Sequence, residues 1–128
     1  MNGEMGGFMV EKRVLIVDDS IISREMVQKM LEKCGCIVCG GAKDGKEGVE
    51  MYETLKPDVV LMDINMPIMD GLEATKKIKE LNQDAKIIML SAISGDDEIV
   101  KTLEELGVSV ILKKPIDSFG LRVALEKV

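Results

Sequence analysis

Acidic, hydroxyl and basic side chains stand directly after four short apolar runs of the sequence. They are Asp18 and Asp19 after the first run, Asp63 after the third, Ser91 after the fourth, and Lys113 and Lys114 after the fifth. Three carboxylates at one place would raise one another's pKa unless a cation lay among them. Mg²⁺ prefers oxygen ligands and is commonly held by one or two carboxylates and a phosphate. If these residues meet, they predict a magnesium site where a phosphoryl group can bind beside an ammonium group.

Each of these residues also has an ordinary structural interpretation when it is taken alone. The pair Asp18 and Asp19 can introduce a helix, Asp63 can begin a turn, and Lys114 can be a solvated charge. Such interpretations are favoured for single residues. Together, however, the residues would form a polar site with no evident structural purpose, so the hypothesis depends on elements that bring the ends of the runs to one place.

Five apolar runs rich in Val, Ile and Leu have the length of strands. They are uninterrupted rather than alternating, which is typical of strands buried on both faces of a parallel sheet. The runs are centred on residues 14–17, 36–38, 59–62, 87–90 and 108–112. The second run ends in Gly40 and Gly41, and we expect it to be an edge strand far from the site.

The segments between the runs carry the spacing and start signals of helices. Asp44 and Asp70 each stand three residues before Glu, the capping-box arrangement, although either Asp-Gly pair could instead turn a hairpin. Apolar residues at intervals of three and four follow both pairs and favour helices. Two further stripes end at Gly35 and Gly107, and their residues are Met26, Met30, Leu31, Ile99, Leu103 and Leu106. We expect the methionines to be core residues rather than a binding surface.

Strand and helix therefore alternate five times along the chain. Right-handed crossovers between parallel strands wind such a chain into one sheet with helices on both faces. Ligands of these sheets bind at the carboxyl ends of the strands, where the strand order reverses. The sequence thus predicts an α/β fold whose polar strand ends form the functional site.

The composition limits the classes of function. A chain of 128 residues with 46% hydrophobic and 31% charged residues suffices for one domain, which we expect at 13–128 after a flexible leader at 1–12. The net charge of −6 and the lack of a basic patch argue against direct nucleic acid binding. No apolar run approaches the roughly 18 residues of a membrane helix, and no secretory signal opens the sequence. We therefore expect a cytoplasmic protein that does not bind membranes.

The sequence contains no histidine and three closely spaced cysteines. The lack of histidine excludes a Ser-His or Cys-His pair, a His-ligated metal and an internal phosphohistidine, so imidazole chemistry needs a partner. Cys36 and Cys39 have C-x-x-C spacing but lie in a predicted strand, whereas a redox pair belongs at a helix start. We interpret Cys34, Cys36 and Cys39 as structural thiols.

Four segments resemble the receiver domains of bacterial two-component response regulators, and the single-domain chemotaxis-type members most closely. They are residues 14–20 (VLIVDDS), 63–71 (DINMPIMDG), 91–92 (SA) and 113–115 (KKP). The resemblance extends from residue 13 to the end and implies a flavodoxin-like sheet of strand order 2-1-3-4-5. It also implies a phosphorylation-activated switch rather than an enzyme, with no activity beyond its own autophosphorylation and autodephosphorylation.

The resemblance implies that Asp63 is the phosphoacceptor, a carboxylate nucleophile. Its phosphoryl group would come from a histidine kinase or a histidine phosphotransfer protein. The Mg²⁺ ligands would be Asp18, Asp19, Asp63 and the backbone carbonyl of Asn65. Catalysis would consist mainly of positioning and charge neutralisation.

The resemblance also implies how phosphorylation is read. Lys114 would pair with the phosphoryl oxygens, and the hydroxyl of Ser91 would move to bind them and draw the next loop inward. A downstream protein would then bind, with the chain as a monomer or a phosphorylation-dependent dimer. Loop geometry would depend on Pro67, Gly71 and Pro115, and the bond before Pro115 is commonly cis in the family.

Two positions differ from residues that are common in the family. Ile111 stands where many members have an aromatic residue that moves with the switch hydroxyl, so we expect a smaller switch. Ile93 stands where some members have a polar residue that helps to position the attacking water. We therefore expect phospho-Asp63 to be hydrolysed more slowly than in an Ile93→Glu variant.

This interpretation has four alternatives. A receiver fragment of a larger DNA-binding or enzymatic response regulator would have the same features. An FMN-binding flavodoxin-like protein would need a glycine- and hydroxyl-rich phosphate loop and more aromatic residues than the 2% present. A Mg²⁺-dependent phosphatase usually has a second catalytic Asp where this chain has Asn65. A receiver that serves only for docking would not need competent residues at every site position.

Overall fold

The computed structural model describes residues 11–92 and 97–128, in which five strands alternate with five helices. The strands are β1 (Arg13–Val17), β2 (Ile37–Ala42), β3 (Val59–Asp63), β4 (Ile87–Ser91) and β5 (Val110–Lys113). The helices are α1 (Ile21–Lys33), α2 (Gly45–Leu55), α3 (Gly71–Leu81), α4 (Asp97–Glu105) and α5 (Ser118–Lys127). Ile93 and residues 1–10 of the expected leader lie outside the described residues.

The strands form one parallel sheet in the order β2-β1-β3-β4-β5. This confirms the predicted α/β fold, its strand order and the edge position of β2. The chain moves outward from β1 to β2 and then returns to β3 on the other side of β1. The carboxyl ends of β1 and β3 are therefore neighbours at the point where the strand order reverses, which is where ligands of such sheets bind.

Helices cover both faces of the sheet and bury the strands between them. One face packs against α1 and α5 through Val27, Leu31, Leu121 and Leu125. The other face packs against α2, α3 and α4 through Tyr52, Ile78 and Leu103. Successive residues of β1, β3 and β4 point into opposite layers, and this explains why their sequences are apolar without alternation.

Four helices begin at the polar side chains that satisfy their free backbone NH groups. Asp44 and Asp70 accept hydrogen bonds from the backbone NH of Glu47 and Glu73, as the capping-box spacing predicts. Ser20 and Asp117 have the same role in α1 and α5. These caps fix where α1, α2 and α3 leave the carboxyl edge of the sheet. Within residues 11–92 and 97–128, no helix combines the length and apolar composition needed to cross a membrane.

Three sequence-based expectations about these elements were wrong. Met26 is 55% exposed rather than a core residue, because Val27 and Leu31 form the side of α1 that faces the sheet. Strand β2 does not end in Gly40 and Gly41, as expected, but continues to Ala42, and its pairing with β1 shifts register between Val14 and Leu15. Strand β5 begins at Val110 rather than Val108. The backbone NH of Val108 instead donates a hydrogen bond to the carbonyl oxygen of Leu103 in α4, at 2.8 Å.

The three cysteines form no disulfide bond within the described residues. Cys34 and Cys36 are buried, and Cys39 lies at 3.4 Å from the carbonyl oxygen of Val14 as a hydrogen-bond donor. Burial raises the pKa of the Cys36 and Cys39 thiols above the ordinary value. Because the thiolate is the reactive form, these positions agree with a structural role.

Candidate functional site

Asp18 follows β1 and is fixed by the first turn of α1. The residue is 1% exposed, and both oxygens of its carboxylate accept hydrogen bonds. Oδ1 accepts from the backbone NH of Ser20 at 2.9 Å, and Oδ2 accepts from the hydroxyl of Ser23 at 2.6 Å. The backbone carbonyl of Asp18 accepts from Nη1 of Arg24 at 2.5 Å. The carboxylate is thus held in one orientation at the edge of the sheet.

Lys114 brings its ammonium group between two of the carboxylates. Its Nζ lies 3.3 Å from Oδ2 of Asp63 and 3.5 Å from Oδ2 of Asp18. Its backbone NH donates to the carbonyl of Ser91 at 2.8 Å, and its bond to Pro115 is cis. The side chain is 26% exposed, whereas Lys113 points into solvent. Lys114 therefore belongs to the site and Lys113 does not.

Asp19 completes a cluster of three carboxylates. One oxygen from each of Asp18, Asp19 and Asp63 lies within 4.8 Å of the others. Burial raises the pKa of Asp63 above its ordinary value, and the carboxylates of Asp18 and Asp19 raise it further, while the charge of Lys114 opposes these effects. One ammonium group compensates one of three negative charges, so two remain.

This donor set fits Mg²⁺. The three side chains offer oxygen ligands only, as a hard divalent cation prefers. The two uncompensated charges match the charge of the ion. The pKa of Asp63 is raised by burial first and by the repulsion from Asp18 and Asp19 second, and a bound cation would relieve that repulsion. The structure thus brings Asp18, Asp19 and Asp63 together as the sequence predicted.

The loop between β3 and α3 packs against the site through glycines. A Cβ atom on Gly71 would collide with the carbonyl oxygen of Asp63, and the backbone NH of Gly71 donates to the carbonyl of Ile64 at 2.7 Å. A Cβ atom on Gly45, at the start of α2, would collide with the carbonyl oxygen of Met69, which accepts from the NH of Gly45 at 2.9 Å. These close approaches fix both ends of the loop.

Asn65 and Pro67 lie in this loop and are exposed. The carbonyl oxygen of Pro67 accepts a hydrogen bond from the backbone NH of Met69 at 2.7 Å, and Ile68 between them has a φ of 68°. This is a three-residue turn in the left-handed region, which a β-branched residue rarely adopts. Pro67 therefore takes part in a tight turn beside the carboxylate cluster.

Ser91 ends β4 and is half-buried, next to Lys113 in the register of the sheet. Because β4 lies between β3 and β5, Ser91 stands at the edge that carries Asp63 and Lys114. Ile111 lies in β5, pairs with Met89 of β4 and is 36% exposed. Ile93 lies outside the described residues.

The roles of Ser23, Arg24 and Gly45 at this site were not predicted from the sequence. Ser23 and Arg24 follow the helix cap Ser20 by three and four positions, which is the first turn of α1 and turns them back toward β1. Their roles could have been predicted from that spacing. For Gly45 the only signal was a glycine directly after a helix cap.

An apolar groove adjoins the site beside α1. It has a volume of about 470 Å³ and is lined by residues of α1 and of the segment after β5, among them Ile22, Met26, Met30, Pro115 and Ile116. Lys114, Ser20 and Ser23 line it as well, and Lys114 and Ser23 contact the carboxylate of Asp18. Ile22 and Met26 are 72% and 55% exposed.

Comparisons with known proteins match this geometry. The model of the response regulator receiver domain family matches residues 14–126. The chemotaxis protein CheY of Thermotoga maritima is 41% identical over 117 residues, which are 91% of this chain and 97% of that protein. A protein-glutamate methylesterase/protein-glutamine glutaminase of Archaeoglobus fulgidus is 46% identical over 99 residues, which are 77% of this chain and 28% of that protein. The crystal structure of the CheX-CheY-BeF3-Mg²⁺ complex from Borrelia burgdorferi matches with a TM-score of 0.85 and 31% identity, over 100% of this chain and 96% of that one.

Proposed function

The chain belongs to the response regulator receiver domain family, and from this membership we propose that Asp63 is the phosphoacceptor of its phosphorylation switch. Receiver domains of the CheY type are signalling switches rather than catalytic enzymes. The observation that carries the proposal is the position of the Lys114 ammonium group, 3.3 Å from Asp63 within a cluster of three carboxylates. This arrangement offers a nucleophile and a cation to the same phosphoryl group.

The transfer needs an imidazole from a partner, because the chain has no histidine. A carboxylate oxygen of Asp63 forms a bond to phosphorus while the bond from phosphorus to the donor's imidazole nitrogen breaks, and the electron pair of that bond stays on the nitrogen. Lys114 compensates the charge of the phosphoryl oxygens throughout. The protein's part is to position these groups and to balance their charge.

Mg²⁺ would be held by Asp18, Asp19, Asp63 and the backbone carbonyl of Asn65. When bound, the ion supplies positive charge against the phosphoryl oxygens and removes the repulsion among the carboxylates. The match to a CheY complex that contains BeF3 and Mg²⁺ supports this assignment. Pro67 and Gly71 shape the loop that carries Asn65, and Pro115 shapes the loop after Lys114.

Ser91 and Ile111 would convert phosphorylation into a change of surface. The hydroxyl of Ser91 moves to donate a hydrogen bond to a phosphoryl oxygen and draws the following loop inward. Ile111 responds by a change of rotamer, which alters the surface less than the rotation of an aromatic ring would. The altered surface then engages a downstream protein. The Borrelia burgdorferi CheY forms a complex with CheX in a structure that contains BeF3 and Mg²⁺.

The phosphodonor, a histidine kinase or histidine phosphotransfer protein, would dock in the apolar groove beside α1. Lys114 lines the groove and its ammonium group lies 3.3 Å from Asp63, so a protein seated there can bring a histidine side chain to Asp63. The relatives differ in what accompanies the receiver domain, since it makes up nearly all of the Thermotoga maritima CheY and about a quarter of the methylesterase. We favour the CheY type, with a receiver of a larger response regulator as the alternative.

Labelling tests the phosphoacceptor directly. The protein is incubated with Mg²⁺ and acetyl phosphate, and the peptides are mapped by mass spectrometry for a phosphoryl adduct. We expect the adduct on the peptide that contains Asp63, and none in an Asp63→Asn variant or when Mg²⁺ is removed by chelation. Asp84→Asn, an exposed carboxylate outside the site, is the matched control and should be labelled like the wild type. An adduct that persists in Asp63→Asn would contradict the proposal.

A further inference from the structure

We propose that Ser23 is a positioning residue that keeps Asp18 available to the metal ion and prevents a tighter ion pair between Asp18 and Lys114. The inference rests on the proposed metal site and assigns a function to a residue that the site's chemistry does not otherwise use. Ser23 is the third residue of α1, and its backbone NH donates to the hydroxyl of Ser20 at 3.2 Å. Its position relative to β1 is therefore fixed by the helix cap.

The hydroxyl of Ser23 is directed to the site rather than to its own helix. Serine in a helix often bonds the carbonyl four residues earlier, but here Oγ donates to Oδ2 of Asp18 at 2.6 Å. A hydroxyl bond of this length to a carboxylate is charge-assisted and stronger than one between neutral groups. Ser20 caps the helix, so Ser23 is left to hold the carboxylate.

The same oxygen of Asp18 also faces Lys114. Nζ of Lys114 lies 3.5 Å from Oδ2 of Asp18 and 3.3 Å from Oδ2 of Asp63. Because Ser23 already supplies a donor to that oxygen, Asp18 keeps a partner when Lys114 turns to a phosphoryl group. Without the hydroxyl, Lys114 would be the one remaining side-chain donor to this oxygen among the described residues.

Loss of the hydroxyl should therefore weaken metal binding. The buried carboxylate of Asp18 would turn toward Lys114 and form a tighter ion pair, and that pair competes with the metal ion for the same oxygen. Hydrogen bonds that orient metal ligands are typically worth 10- to 100-fold in metal affinity. We expect the lower end of this range, because the backbone NH of Ser20 still holds Oδ1.

Mg²⁺ affinity of the unphosphorylated protein tests this inference without any phosphoryl transfer. Dissociation constants are measured by isothermal titration calorimetry for the wild type and for Ser23→Thr, Ser23→Val and Ser23→Ala. Thr and Val have the same shape and differ in the hydroxyl, so they isolate the hydrogen bond. We expect Val and Ala to raise the dissociation constant about ten-fold and Thr to leave it within about two-fold of the wild type.

A helical hydroxyl outside the site is the matched control. Thr54 bonds the carbonyl of Glu50 in α2 at 3.1 Å, and Thr54→Ala should bind Mg²⁺ like the wild type. Thermal melting in the absence of Mg²⁺ verifies that each variant is folded. Equal affinities for Ser23→Thr and Ser23→Val, or an equal loss in Thr54→Ala, would overturn the inference alone. Absence of Mg²⁺ binding in the wild type would overturn the proposed metal site and this inference with it.

Discussion

The ammonium group of Lys114 lies 3.3 Å from the carboxylate of Asp63, although a strand separates the two residues in the sheet. Lys114 follows β5, Asp63 ends β3, and β4 lies between them. The side chain of Lys114 thus spans the end of β4, where Ser91 stands. A phosphoryl group on Asp63 would meet the lysine and the switch hydroxyl at this one place.

Asp63→Asn should stabilise the metal-free protein at neutral pH. Burial and the neighbouring carboxylates raise the pKa of Asp63 above its ordinary value of 3.8, so the ionised form is less favourable in the folded protein than in the unfolded chain. The wild type should therefore lose stability as the pH rises from below 3.8 through the pKa of the folded state. The difference in stability between Asp63→Asn and the wild type should be small in acid, increase as the pH rises and become constant above the pKa of the folded state.

Thermal melting of both proteins from about pH 3 to about pH 8 measures this difference. Added Mg²⁺ should reduce the difference, because the ion binds the folded wild type and stabilises it. A difference that is the same at every pH, with no effect of Mg²⁺, would contradict the electrostatic account.

Gly71→Ala should destabilise the protein by about 2–3 kcal/mol. The added Cβ would collide with the carbonyl oxygen of Asp63 and lie 2.9 Å from Cα of Ile64, and both atoms belong to the backbone. Urea denaturation measures the change. Gly41→Ala is the matched control, since its Cβ would meet only the Arg24 side chain, at 3.4 Å, and we expect a change within about 0.5 kcal/mol. Similar losses in both variants would show that the contact with Asp63 is unimportant.

Thr75→Val should stabilise the protein by about 1 kcal/mol. Thr75 lies in α3 and is 0% exposed, and its hydroxyl has no hydrogen-bond partner in the described part of the chain. Valine has nearly the same shape and removes the unpaired polar group. Chemical denaturation provides the measurement, with Thr54→Val as the control because its exposed hydroxyl is bonded to Glu50. An unchanged or lower stability of Thr75→Val would refute this prediction.

Met26→Glu should slow phosphotransfer from a histidine-containing donor by about ten-fold or more, since a charge in an apolar interface costs well over 1 kcal/mol. Met26 lines the groove beside α1 and does not belong to the carboxylate cluster of Asp18, Asp19 and Asp63. Phosphorylation by acetyl phosphate should stay at the wild-type rate. Leu81→Glu, which alters an exposed apolar residue of α3, is the control for a surface charge. Equal transfer rates for wild type and Met26→Glu would place the donor elsewhere.

The sequence was sufficient to predict the sheet because each strand buried on both faces is an uninterrupted apolar run. The apolar runs of β1, β3 and β4 are buried on both faces, so neither polarity nor turn residues interrupt them. The length of β2 could not be predicted from an apolar run in the same way. Gly40 and Gly41 have poor strand propensity, yet their backbones pair with Leu15 and Ile16 of β1. At Gly40 a side chain would meet Leu55 at 2.8 Å, a contact that no local pattern contains.

The site could be predicted to the extent that it depends on strand ends. Asp18, Asp63 and Lys114 meet because parallel strands end at one edge. The contact of Ser23 with Asp18 depends instead on how α1 is rotated against the sheet. The same rotation turns Val27 inward and leaves Met26 in the groove. Helical spacing alone shows which residues share a side but does not determine that rotation.

A crystal structure with Mg²⁺ and beryllofluoride tests the central claim most directly. We expect beryllofluoride on the carboxylate of Asp63, within hydrogen-bonding distance, below about 3.2 Å, of the Lys114 ammonium group and the Ser91 hydroxyl. Mg²⁺ should contact Asp63 and lie beside Asp18 and Asp19, and Asp63→Asn under the same conditions should bind no beryllofluoride. A wild-type pocket that holds neither group at saturating concentrations, or carboxylates that point away from one another, would contradict the account.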